Sequence, residues 1–489
     1  MIHYIIGGIV VLVITLVTLS IIFSSRPKNA PPNAAIGIPF IGNYIGFASN
    51  PVKFVDDCRK NFGLIFTVPM LHKKLTFLLG PEVSAPFFML KDDKMSQKEV
   101  YGFMTPVFGK GVVYDAEPKK SKQQMQHMAE GLRSNRLKAY VPMIEKETLD
   151  YLKRWGSSGE VNILDALSEL TILTASRCLH GNDVREDLFE DVSRIYHDLD
   201  KGVTPLSFFF PYAPIPAHAK RDKARTEMLE IFSKVIRKRR AEQEQASQEG
   251  KALNESTDLL QVFMDLQYKE GGKLSEDEIV GLLIALLFAG QHTSSITSTW
   301  TSMFLAHNPR CFAEVMKEQR EVLGDLTKPL DFESVGKMEY LQNCVKESLR
   351  MHPPLILLMR MAMEDIPTTL DGKTYTIPKG DIVVTSPAVS GRLESVFKNA
   401  NAFEPERFGP GREEQKTPYA YLGFGGGSHQ CMGQQFGLLQ VKTIVSILLR
   451  NFSIEPLDKE FPEPDYTAMV VGPKNHCRVK YTKLDTSTL

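Results

Sequence analysis

The chain has 489 residues, with 58 basic and 58 acidic side chains and 43% apolar residues. It is long enough to bury a large core, and the balanced charge gives no basic stripe of the kind that a nucleic-acid partner requires, so none is expected. Six scattered cysteines (Cys58, Cys178, Cys311, Cys344, Cys431, Cys477) form no CxxC pair, so we expect neither a disulfide framework nor a zinc site, and a reducing compartment fits.

In chain order, the first element is an uncharged apolar run from Ile5 to Phe23. As a helix it reaches about 30 Å, the thickness of a bilayer's hydrocarbon core. A cleaved signal peptide would show a basic leader and a shorter apolar stretch. Residues 1–25 are therefore expected to be a membrane anchor. Arg26 and Lys28 follow at once, which leaves the remainder in the cytosol by the positive-inside rule. The Pro-rich stretch 26–35 reads as a semi-rigid tether. Residues 36–489 show no further linker or repeat and read as one large domain. Within it, the polar stretch 242–256 reads as a surface loop between helices.

Helical periodicity dominates the domain. Ser275 and Glu278 spell a capping box before the apolar run 279–290, and the pattern continues to Pro309. A helix over 276–307 would be about 50 Å long. Its apolar run is too short to span a bilayer, so it is expected to be buried through the domain centre. AGQHTS, residues 289–294, lies midway along it; Gly290 and a threonine that can back-bond suggest a local bulge or groove there. His292, on the residue alone, reads first as a satisfied core histidine. Glu347 and Arg350 share a face of a later helix, and Arg407 in EPERF offers a second cation for a buried network. The stretches 374–387 and 466–483 read as strands and hairpins. The fold class is mainly α with small β-sheets.

Near the C-terminus the chain reads FGGGSHQCMG, from Phe424 to Gly433. Glycines let the backbone approach a planar object closely, and a lone thiolate is a strong axial ligand for haem iron. Cys431 alone could equally be an ordinary buried cysteine. Phe424, Gly427, Cys431 and Gly433 together match F-x-x-G-x-x-x-C-x-G, however. With E-x-x-R at Glu347–Arg350 and P-E-R-F at Pro405–Phe408, the chain resembles the cytochrome P-450 family from residue 36 onward. His292 before the threonine, His429, and the segments 101–115, 169–181 and 198–225 are similar to the sterol 14α-demethylases of that family.

The resemblance implies that fold, with a long central helix over a haem b. Cys431 would be the thiolate ligand of the iron, with Phe424 and Gly425 beside it. Tyr101, Tyr114, Lys122, Arg360 and His429 would hold the haem propionates. It also implies removal of a 14α-methyl group from a lanostane-type sterol by three successive oxidations. O2 would be consumed, and electrons would come from NADPH through a cytochrome P-450 reductase. Thr293, His292 and Asp200 would handle protons, and Glu347, Arg350 and Arg407 would be structural. Sterol contacts are implied for Tyr101, Phe103, Met104, Phe108 and Tyr114, for Phe288 and Ala289, and for Leu355, Met359, Met469 and Val470. Phe103, where animal and fungal members tend to carry leucine, suggests 4α-monomethyl sterols such as obtusifoliol. The expected location is the endoplasmic reticulum membrane, crossed once. Two rival readings are a family member that hydroxylates fatty acids or foreign compounds, and a non-enzymatic haem or sterol sensor.

Overall fold

The computed structural model describes residues 26–34, 42–249, 258–412, 414–474 and 477–485. The expected anchor at 1–25 and residue 35 of the tether lie outside them. The chain forms two compact units, mainly helical with small sheets as the periodicity suggested. One comprises residues up to Val100 together with Arg350–Ala402 and Gly411–Cys431. The other comprises Tyr101–Leu349, Phe403–Pro410 and Met432–Leu489.

The first unit is built on a five-stranded sheet. Its strands run, in spatial order, Ile65–Met70, Lys73–Leu78, Ile382–Thr385, Leu358–Ala362 and Met95–Ser96. The 73–78 and 382–385 strands are parallel, with Leu75 opposite Ile382, and the other pairs are antiparallel. Ile65, Leu78, Met95 and Val383 pack with Val83, Phe87 and Phe88 of the helix Pro81–Met89 and with Leu422. One apolar cluster therefore anchors the segment that leads to Cys431. Residues 26–34 lie along the sheet: Ala34 donates to the Thr67 carbonyl at 2.7 Å, and the Pro32 carbonyl accepts from Thr67 at 2.8 Å. Arg26 closes the attachment on Asp381 at 2.8 Å, both side chains nearly buried. Proline lacks a donor but keeps its carbonyl, so a Pro-rich stretch can still pair on one side.

The second unit centres on the helix Glu276–His307. The capping box forms as its sequence specifies: the Ser275 hydroxyl accepts from the Glu278 amide, and the Glu278 carboxylate accepts from the Ser275 amide. Three acids in the first turn favour the positive helix end, and Asn308–Pro309 stops it. The helix packs against Ile163–Ala175 and Gln434–Asn451. Trp300 is fully buried, stacked on Phe461, and Phe304 stacks on Phe403 with ring centroids 4.3 Å apart. A three-stranded antiparallel sheet (Ser158–Asn162, Arg478–Lys483, Phe452–Pro456) closes this unit.

One expectation fails. Residues 242–249 continue the helix Pro216–Glu249 instead of forming a loop, and 250–257 lie outside the described residues. The segment is polar, but Glu, Gln and Ala are good helix formers, so an exposed helix needs no apolar stripe there.

Candidate functional site

In the first unit, Gly425 and Gly427 take left-handed φ values of +69° and +66°. A Cβ on Gly427 would lie 2.1 Å from the Phe88 carbonyl oxygen, so only glycine fits this approach. Phe88 is itself held by stacking on Tyr419, with centroids 4.6 Å apart. The loop then turns through Gly427–His429, and the Cys431 amide donates to the Phe424 carbonyl at 2.9 Å. Cys431 is exposed, whereas the other five cysteines are buried.

Arg360 sits on the strand Leu358–Ala362 with its side chain only 2% exposed. It donates from Nη1 to the Phe87 carbonyl at 2.6 Å, and from Nη2 to the Met95 carbonyl and, at 3.0 Å, to Asp92. Its Nε is buried and has no hydrogen-bond partner. His429 Nε2 lies 2.8 Å from the same Asp92 oxygen. The hydrogen bond from His429, seconded by Arg360, holds the Asp92 carboxyl below its usual range. Asp92 was not anticipated, because nothing in its KDDK surroundings separates it from a solvated acid. Leu355 is half-exposed in this unit, and Met359 is buried on the strand beside Arg360. Arg350 donates to the backbone carbonyls of Gly391, Ala400 and Ala402.

In the second unit the central helix is buried along most of its length, yet Phe288, Ala289, Gly290, His292 and Thr293 keep accessible surface. The Thr293 hydroxyl donates back to the Ala289 carbonyl at 2.6 Å. His292 Nε2 lies 2.9 Å from Asp200 Oδ1, an ion-pair contact without hydrogen-bond alignment. Asp200 comes from the helix Phe189–Lys201. The aromatic residues expected around a sterol form one continuous wall. Tyr101 stacks on Tyr114 at 5.0 Å, Phe108 meets Tyr114 at 6.3 Å, and Phe288 meets Phe108 edge-on at 6.0 Å. Phe103 touches Tyr101 and is wedged against Phe208 at 5.7 Å. Burial pushes the Tyr114 phenol up. Met104 ends the short turn Gly102–Met104, Lys122 is exposed on the helix Pro118–Glu130, and Met469 and Val470 precede the short strand Gly472–Pro473.

Glu347 and Arg407, both fully buried, pair at 3.2 Å; Arg407 also reaches Glu404, whose amide donates to Glu347 at 2.9 Å. The pair ties Glu347 of the helix Glu339–Met351 to the Pro405–Phe408 turn.

The donor set in the first unit fits a haem. An exposed thiol follows a loop with two left-handed glycines, and a buried guanidinium keeps its Nε–H unspent for a carboxylate. Comparison with known proteins agrees. The cytochrome P-450 family profile matches residues 31–480. A sterol 14-demethylase of Arabidopsis thaliana is 47% identical over 98% of this chain and 97% of its own length. An obtusifoliol 14-alpha demethylase of Sorghum bicolor is 45% identical over 98% and 96%. The solved structure of a retinoic acid-bound cyanobacterial CYP120A1 superposes with a TM-score of 0.80 at 22% identity, covering 94% of this chain and 100% of that one; it supports the fold alone. The chain belongs to the cytochrome P-450 family of haem-thiolate monooxygenases, among the sterol 14-demethylases.

Proposed function

We propose that the chain removes the 14α-methyl group of a lanostane-type sterol by three successive oxidations, the carbon leaving as formate. The observation that carries the reading is the Asp200–His292 contact beside Thr293 on the open stretch of the central helix. The Cys431 thiolate would hold haem b, which would supply the oxygen-activating chemistry when bound. Arg360 through Nε and His429, both in the first unit, would hold its propionates. Asp92 keeps Arg360 and His429 oriented toward that task.

The protein's own contribution is binding, exclusion of water and proton supply. The sterol is a rigid apolar body, and the wall from Phe103 through Tyr114 to Phe288, with Ala289 leaving space, suits it. Met104, Met469 and Val470, in the same unit, would add to that apolar lining. The Asp200–His292 pair gates protons as the enclosing helices move, and the Thr293 hydroxyl stands next in the chain to pass them on. Electrons come from an NADPH-dependent cytochrome P-450 reductase, with the catalytic part cytosolic on the endoplasmic reticulum membrane.

The Phe103 ring is wedged between Tyr101 and Phe208 and 7% exposed. A ring held this way crowds a doubly methylated C4, which favours a 4α-monomethyl sterol such as obtusifoliol. Purified protein, supplied with reductase, is expected to demethylate obtusifoliol at least about tenfold more efficiently than lanosterol, a pocket clash with one methyl group being worth that much. Equal kcat/KM for the two refutes the preference; turnover of neither refutes the function.

A further inference from the structure

Tyr196 belongs neither to the expected proton pair nor to the expected sterol wall, yet it touches both. It lies one turn before Asp200 on the helix Phe189–Lys201, so the two side chains share a face. Phe288 and His292 have the same spacing on the central helix. The two helices therefore meet in two rungs. In one, Tyr196 packs edge-on to Phe288 with centroids 4.8 Å apart; in the other, Asp200 meets His292. The rungs are cross-braced. The Tyr196 ring lies 5.8 Å from the His292 ring, Phe288 lies 6.4 Å from it, and the Tyr196 hydroxyl donates to Gln291 Oε1 at 3.4 Å. Tyr196 is 3% exposed, and burial, with Asp200 adding to it, raises its phenol well above the ordinary range. It is thus a neutral donor and a rigid spacer between the two rungs.

Phe288 is also the end of the wall that runs through Phe108 to Tyr114. Anything seated against that wall reaches Tyr196 through one aromatic contact, and Tyr196 reaches the imidazole through the next. His292 Nε2 is close to Asp200 but off the hydrogen-bond line. A small rotation of the ring therefore decides whether the contact holds. We propose that Tyr196 is a positioning residue that couples occupancy of the sterol wall to the proton pair. A sterol pressing on Phe288 moves the Tyr196 ring against His292 and turns Nε2 away from Asp200, so protons are released only when substrate is in place. This inference rests on the Asp200–His292 reading above.

The test compares Tyr196→Leu, Tyr196→Phe and His292→Ala in the haem-loaded enzyme with reductase. Three quantities are read: the solvent isotope effect, the share of electrons that reaches sterol product, and the sterol affinity from its spectral titration. Tyr196→Leu is expected to cut the share of electrons reaching product about tenfold and to change the isotope effect, misplacement of a proton-transfer group costing at least that much. Its sterol affinity should stay close to that of the parent, and Tyr196→Phe, which keeps the ring, should restore coupling. Tyr196→Met fills the same space without a ring and takes the place of the leucine variant if that one does not fold. If His292→Ala changes the isotope effect while neither ringless variant does, the positioning role is overturned and the proton pair stands. If His292→Ala changes nothing, the proton pair itself is wrong and Tyr196 has nothing to position.

Discussion

Gly427 offers the sharpest test of how the cysteine loop is held. Replacing it with alanine asks an L-residue to keep φ at +66°, which costs about 1 kcal/mol by itself. Steric overlap costs more. The new Cβ would stand 2.1 Å from the Phe88 carbonyl oxygen, 2.8 Å from its carbonyl carbon and 3.1 Å from its Cα. These are backbone atoms, with no flexible side chain to swing aside. Ordinary contact begins near 3.4 Å, so something must move by roughly 1 Å. Phe88 cannot easily be the part that moves, because it is 3% exposed, stacked on Tyr419 and edge-on to Phe87. The displacement falls on the loop that carries His429 and Cys431. Strain at a special φ and overpacking together amount to about 3 kcal/mol, enough to misplace a haem ligand. Gly437 supplies the control. It lies in the helix Gln434–Asn451, and an added Cβ would meet nothing within 4 Å. Gly437→Ala should therefore be neutral or stabilising by about 0.5–1 kcal/mol. Both variants would be purified alongside the parent, and haem content (Soret against protein absorbance) and thermal midpoint measured. We expect Gly427→Ala to retain a small fraction of the haem and to melt earlier, with Gly437→Ala matching or exceeding the parent. A Gly427→Ala protein with full haem content and an unchanged midpoint would refute the argument.

Two further outcomes concern stability. His180 is buried in the second unit, edge-on to Phe232 at 5.4 Å, and burial pulls its imidazole down from 6.5 to about 4. The folded state thus prefers the neutral ring. The associated stability is complete above pH 6.5 and is lost as pH falls toward 4, by about 3 kcal/mol in all; His180→Phe should flatten that acid limb in unfolding measured against pH, and an unchanged limb would count against it. Glu347→Leu takes away the fully buried carboxylate that faces the fully buried Arg407, and should cost about 3–5 kcal/mol. The double variant Glu347→Leu, Arg407→Leu should recover part of that loss in thermal melts, and a strictly additive double variant argues that the two groups do not interact.

Local sequence alone determined the elements whose cause is local. Ser275, Glu278 and Pro309 delimit the central helix because capping and the missing proline amide act within one turn, and its observed ends match them. The cysteine loop was legible for a similar reason: glycines at set spacing before Cys431 describe one backbone path. The Asp200–His292 contact was anticipated only through the family resemblance, and helix spacing suggested Glu347 for a buried network with Arg407 as a candidate partner, since periodicity places each residue on a face but cannot say which face it meets. Tertiary structure alone decided the rest. Asp92 accepts from Arg360 and His429, which are 268 and 337 positions away in the chain, and no local pattern marks it. Nothing in the local sequence singles out Tyr196; packing sets it against Phe288 and His292. Residues 26–34 pair along a sheet because the Thr67 backbone offers partners, and 242–249 stay helical because propensity prevailed where polarity suggested a loop. Propensity and capping are interactions of a few residues. Pairing of distant side chains is settled only when the core brings their elements together.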